Sequence, residues 1–175
     1  MDSRWLRRYA ARVREEYCER GRFRELFTDS AVLVPVPSCR CERTPGDWAA
    51  ARLANELHLA GLARAVWLGL RRQHRVRKSA TAAPGERPSV WQHFDSLRLE
   101  PALIASDRLV LVDDVITKGR TLLAASMALR GAFPQARVSA FALVRTLGWV
   151  NDITGLVDPC EGEIRWLGED ARRRP

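Results

Sequence analysis

Residues Leu109–Thr121 read LVLVDDVITKGRT. Leu109, Val110, Leu111 and Val112 form a short apolar run without polar alternation, the pattern of a central parallel strand covered on both faces. The run stops on Asp113 and Asp114, where the strand is expected to end. Thr117, Gly119 and Thr121 then open an apolar-periodic helix containing Leu122, Leu123, Met127 and Leu129. Open α/β sheets bind ligands at the carboxyl ends of their strands, so the two acids and the loop after them fall where chemistry is expected.

The residue types in this loop suit a phosphorylated sugar. Backbone N–H groups of a tight Thr/Gly turn at a helix N-terminus form an anion site, to which the helix dipole adds about 0.3–1 kcal/mol. Thr117 and Thr121 add hydroxyl donors, and Gly119 lets the backbone approach a phosphate or adopt positive φ. The neighbouring carboxylates accept hydrogen bonds from vicinal hydroxyls and help attract a divalent metal. A ligand with a phosphate at one end and a cis-diol beside it fits both halves.

The ordered combination, an apolar strand, two acids, two apolar residues and T-x-G-x-T, resembles the PRPP-binding motif of type I phosphoribosyltransferases. The resemblance implies that Asp113 and Asp114 hold the ribose 2′ and 3′ hydroxyls, while Thr117, Lys118, Gly119, Arg120 and Thr121 wrap the 5-phosphate. Lys118 and Arg120 replace small residues often found in that loop. It also implies an α/β fold, doubly wound, with a mostly parallel sheet, helices on both faces and a small C-terminal hood. The implied reaction is transfer of 5-phosphoribosyl from PRPP to a nitrogen acceptor, a nucleobase, with Mg2+ bound through PRPP beside Asp113 and Asp114. Such an enzyme belongs to nucleotide metabolism, and dimers are common in the family.

At 175 residues the chain is expected to form one domain: helices over 1–30, a core over 31–145 and a hood or tail over 146–175. Hydrophobic content of 46% with 29% charged residues is globular in character and excludes a disordered chain. No apolar run reaches the ~18 residues of a membrane span, and charge enters every turn of the start, MDSRWLRRYAARVREEY, so a cytoplasmic location is the default expectation. The net charge of +8, from 29 basic and 21 acidic residues, favours anionic partners, and PRPP satisfies it without nucleic acid. Cys18, Cys39, Cys41 and Cys160 lack paired zinc spacing and read as free thiols, and His58, His74 and His93 read as one helical and two loop residues.

Taken in order, residues 4–27 suggest an amphipathic helix with Trp5, Leu6, Tyr9, Val13 and Tyr17, then a short second one. Ala31–Val36 is a strand in which Pro35 marks an end or an edge. The segment PSCRCERTPGD comes next and leads into a helix from Trp48 to Leu59. By the resemblance the loop after this strand binds pyrophosphate through Pro37, Ser38, Cys39 and Arg40, with Arg43 behind them. VPVP followed by basic residues is also similar to the ComF-type branch, although its zinc-binding cysteines and R-G-F-N run are missing. Leu62–Leu70 is expected as one further strand, followed by about 25 residues of functional or mobile connection. In the family this connection closes over PRPP, which gives Arg77, Lys78 and Ser79 the role of meeting pyrophosphate. Arg137–Val144 is the next strand, and in the hood Trp149 would stack on a flat acceptor whose polar edge Asn151 and Asp152 read. A non-catalytic PRPP-binding regulator of nucleic acid or of a partner protein, or a subunit of a larger complex, would carry the same motif.

Overall fold

The computed structural model describes residues 3–41, 48–77, 87–104, 106–147, 158–168 and 170–174. Four parallel strands make the main sheet: β1 (Val32–Pro35), β2 (Ala65–Val66), β5 (Arg108–Ile116) and β6 (Arg137–Arg145), in the order β2-β1-β5-β6. Two antiparallel strand pairs stand apart from it, β3 (Leu70–Arg72) with β4 (Leu97–Leu99) and β7 (Glu163–Leu167) with β8 (Asp170–Arg174), of which only the second is a hairpin.

Strand alternation divides the core into two layers. Leu33, Val110, Val112 and Phe141 face α1 (Ser3–Arg20) and α2 (Ala49–Leu59), meeting Leu6, Ala10, Leu53 and Leu57. Val32, Val34, Leu109 and Leu111 face the other way, toward α4 (Arg120–Ala132) with Leu122, Ala125 and Leu129 and toward Val90 of α3 (Val90–Asp95). Side chains of successive residues thus enter opposite layers, and both layers are apolar. That explains the unbroken run 109–112. The fold is a mixed α/β structure with a four-stranded parallel sheet flanked by helices.

Several expected boundaries move. β5 continues through Asp113 and Asp114 to Ile116, because β6 is long enough to pair Val115 with Val144 and Ile116 with Arg145. Leu62–Leu70 is not one strand. β2 ends at Val66, and by Gly69 the chain already bonds to the β4 side, its carbonyl accepting the Glu100 N–H; an added Cβ at Gly69 would collide with the Trp67 indole that packs edge-on against Phe133. The next element is β3, so regular elements occupy both described ends of the long connection, β3 and α3, whose Ser89 and Gln92 form a reciprocal capping box. No second helix succeeds α1. Gly21 and Phe23 take positive φ, and Phe23 turns its ring edge-on to Phe27 and Phe141. Leu6, Ala10 and Val13 form the inward stripe of α1, whereas Trp5 and Tyr9 are exposed. None of the helices among the described residues is long and apolar enough to cross a membrane.

Candidate functional site

The chain runs outward from β1 to β2 and then returns to β5 on the opposite side of β1, which makes the β1/β5 boundary the switch point of the sheet. Ligands of open α/β sheets bind in the crevice outside such a point. Pro35 pairs with Val112, and the Val36 N–H donates to the Val112 carbonyl at 2.9 Å. The residues leaving β1, Pro37–Cys41, therefore start beside Asp113.

Asp113 and Asp114 are partly exposed as whole residues, but the Asp113 carboxyl itself is buried. The Asp114 N–H donates to Asp113 Oδ1 and the Val115 N–H to Asp114 Oδ1, each at 3.0 Å. Burial, together with the like charge and side-chain contact of Asp114, pushes the Asp113 carboxyl up to about 8, against the opposing pull of Arg72. Asp113 thus holds a proton near neutrality.

Gly119 caps α4 with φ 86, and the helix closes its first bond from the Leu123 N–H to the Gly119 carbonyl at 2.9 Å. The N–H groups of the first turn, from Arg120 onward, have no helical acceptor. A Cβ on Gly119 would lie 2.8 Å from Ile164 Cδ1 of β7, so the conformation and the hairpin packed over it both select glycine. With Asp113, the residues Thr117, Gly119, Arg120 and Thr121 line a concavity of about 20 Å³, room for one water-sized group.

The two basic residues of this loop already have a carboxylate. Arg120 Nε donates to Asp170 Oδ1 at 2.5 Å and Lys118 Nζ to Asp170 Oδ2 at 3.3 Å. The Arg120 hydrogen bond holds Asp170 well below the usual carboxylate range. Arg120 also donates to the Arg87 and Pro88 carbonyls, at 3.3 and 3.0 Å, which ties the loop to the residues ahead of α3.

On the β1 side, Pro37 is buried, Ser38, Cys39 and Cys41 are half-buried and Arg40 is exposed. Trp48 Nε1 donates to the Val36 carbonyl at 2.7 Å, with Arg71 lying over the Trp48 ring at 5.4 Å. Arg77 lines a separate cavity of about 450 Å³ with His74, Arg75 and Gln92. Of the remaining candidates, Arg43, Lys78, Ser79, Trp149, Asn151 and Asp152 lie outside the described residues.

Sequence reasoning passes over three residues here. Arg72, only 7% exposed, reaches back under the Pro37–Ser38 turn. Its Nη1 donates to Ser96 Oγ, and that hydroxyl donates to the His93 carbonyl at 2.6 Å. His93, read from sequence as a loop residue, is a buried α3 residue, 3% exposed, and neither ring nitrogen has a partner among the described residues. Burial, then the charges of Arg72 and Arg120, lower it to about 4, so its imidazole is neutral at physiological pH. Asp170 is the third. Arg72 looks no different from Arg71, Arg75 or Arg77 in the sequence, but the S-x-x-Q box at 89–92 was a legible start for α3.

Comparison with protein-family models gives no match, and comparison with curated proteins likewise gives none. The class rests on the fold and site alone: a parallel α/β sheet protein whose switch point carries two carboxylates between a glycine-capped helix start and a basic turn.

Proposed function

We propose that the chain binds PRPP and is a type I phosphoribosyltransferase, an enzyme that moves 5-phosphoribosyl to a nitrogen acceptor, a nucleobase. The observation that carries the reading is the adjacency at the switch point of Asp113 and Asp114, the Gly119 loop and the 37–41 turn. In this reading the 117–121 loop anchors the 5-phosphate, the carboxylates hold the ribose hydroxyls, and the 37–40 turn receives pyrophosphate. By the resemblance to the family, Arg77 and Lys78 would meet the same end of the donor.

The bond from ribose C1 to the pyrophosphate oxygen breaks with its electron pair leaving on pyrophosphate. The acceptor nitrogen forms the new bond to C1 and loses its proton to solvent. Two adjacent carboxylates offer the hard oxygen donors that suit Mg2+ but no complete cage, so Mg2+ would arrive on PRPP's own oxygens beside them. When bound it neutralises charge on the leaving group. Asp113 and Asp114, once ionised, favour the cationic sugar that develops at C1. Holding the 5-phosphate away from C1 provides binding energy for orienting the ring.

A second reading, a PRPP sensor without catalysis, is favoured by the hold of Asp170 on Lys118 and Arg120, since a phosphate entering there would compete with the C-terminal hairpin. Calorimetry with Mg2+ and PRPP, followed by a pyrophosphate-release assay across nucleobases, separates the two. The enzyme binds and releases pyrophosphate with one base, whereas the sensor binds and releases none. The Asp113→Asn/Asp114→Asn variant loses both properties while staying folded. Undiminished PRPP binding in that variant would reject the site.

A further inference from the structure

We propose that Arg72 is a positioning residue that shapes the 37–40 turn into a cradle of N–H groups for the pyrophosphate end of the donor. The inference rests on the PRPP reading and adds to it the device that makes the turn an anion site.

Arg72 Nη2 donates to the Pro37 carbonyl at 3.3 Å and Arg72 Nε to the Ser38 carbonyl at 2.8 Å. The next carbonyl, that of Cys39, accepts the Val76 N–H at 3.1 Å. Three successive carbonyls are therefore drawn toward the β3 side of the turn. None of the described peptide bonds is cis. In a trans peptide the N–H points opposite to the C=O of the preceding residue, so the N–H groups of Ser38, Cys39 and Arg40 are turned away from β3 together. Consecutive N–H groups on one side of a turn form an anion-binding concavity. Ser38 Oγ already sits on that side, accepting the Arg40 N–H at 3.2 Å.

Arg72 suits the task chemically. Its planar fork presents Nε and Nη donors at a fixed spacing, so one side chain orients two carbonyls, and its charge lies beneath the point where an anion would rest. Ser96 Oγ holds the remaining arm from the β4 side of the pair, and the Gln73 N–H donates to the Ser96 carbonyl at 2.8 Å, so the guanidinium is fixed from below. At 7% exposure Arg72 is positioned to act through the backbone rather than on ligand directly. A lysine keeps the charge but cannot span both carbonyls.

The test uses Arg72→Lys and Arg72→Met in the full chain, titrated calorimetrically with Mg2+-pyrophosphate and separately with ribose 5-phosphate. Both variants are expected to weaken pyrophosphate about tenfold or more, because hydrogen bonds from a charged donor hold the cradle, while ribose 5-phosphate changes less than about twofold. Ser96→Ala, which removes one support of the guanidinium and leaves the turn and Arg72 themselves unsubstituted, gives the same split to a smaller extent and serves if the Arg72 variants do not fold. Equal weakening of both ligands would reduce Arg72 to a general structural role and overturn the inference, as would unchanged pyrophosphate affinity. A wild-type protein that binds ribose 5-phosphate but not pyrophosphate overturns the Arg72 inference alone. One that binds neither overturns the PRPP reading with it.

Discussion

Asp113→Asn exchanges a buried, proton-holding carboxyl for a neutral isostere, and the consequence is a change in how stability depends on pH. The native carboxyl titrates near 8, against 3.8 for an unperturbed aspartate. Between those values the folded chain holds a proton that the unfolded chain releases. Native stability therefore falls as pH rises through this window, at up to about 1.4 kcal/mol per pH unit for one linked proton. Below the window both states are protonated; above it both are ionised and the full cost of the buried charge is present. The substituted amide has nothing to titrate, so the variant is expected to gain on the wild type as pH rises from about 4 to about 8. For a chain of this size the divergence corresponds to roughly 3–6 °C in Tm per pH unit. Thermal unfolding in phosphate-free, metal-free buffers at pH 5, 6, 7 and 8 measures it, with Asp114→Asn as a companion that narrows the window by removing the neighbouring charge. Parallel wild-type and Asp113→Asn curves across that range would show that Asp113 does not carry a raised titration in the folded chain. PRPP binding is expected to be lost in the same variant, so the site exchanges stability for ligand affinity.

Gly119→Ala introduces a Cβ at φ 86, 2.8 Å from Ile164, and is expected to cost about 1–3 kcal/mol of stability and to abolish ribose 5-phosphate binding. Wild-type affinity in that variant would show that the loop is not the phosphate anchor. Asp170→Asn frees Lys118 and Arg120 from their carboxylate and is expected to tighten ribose 5-phosphate binding by roughly three- to tenfold, the scale of a partly exposed ion pair. Weaker binding would mean that Asp170 orients these side chains for ligand rather than competing with it. In wild type the contribution of Asp170 is present above the ordinary aspartate range and lost as pH falls below it, so Asp170→Asn should flatten the acid limb of the stability profile. Glu16 is buried among Arg12, Arg20 and Arg22, at 3.3, 3.1 and 3.2 Å, and Glu16→Ala is expected to cost about 1–2 kcal/mol by leaving three guanidinium groups together. Unchanged unfolding by urea would show the cluster to be neutral.

Much of the scaffold was open to reading from local pattern. The apolar run 109–112 announces a strand covered on two faces, and the spacing from Trp48 to Leu59 announces α2, because burial on a strand or helix face imposes a period on adjacent residues. Gly119 is legible from the T-x-G-x-T turn after the two acids, where a residue free to approach a phosphate or to take positive φ is expected. Local pattern did less well where a partner element sets the boundary. β5 runs past its two acids only because β6 extends beside it, and the apparent strand 62–70 divides because Trp67 folds back under Gly69.

The sequence by itself determined where a parallel strand meets a glycine-started helix and which two carboxylates stand at that junction, since both depend on residues within about four positions of one another. Tertiary structure alone decided which of Arg71, Arg72, Arg75 and Arg77 reaches the Ser38 carbonyl, 34 residues from Arg72, and which aspartate meets Arg120, 50 residues away. The physical reason is that such contacts carry no period. A guanidinium's partner is chosen by the packing of whole elements, and that packing made Arg72 a buried support and Asp170 the counter-charge of the loop.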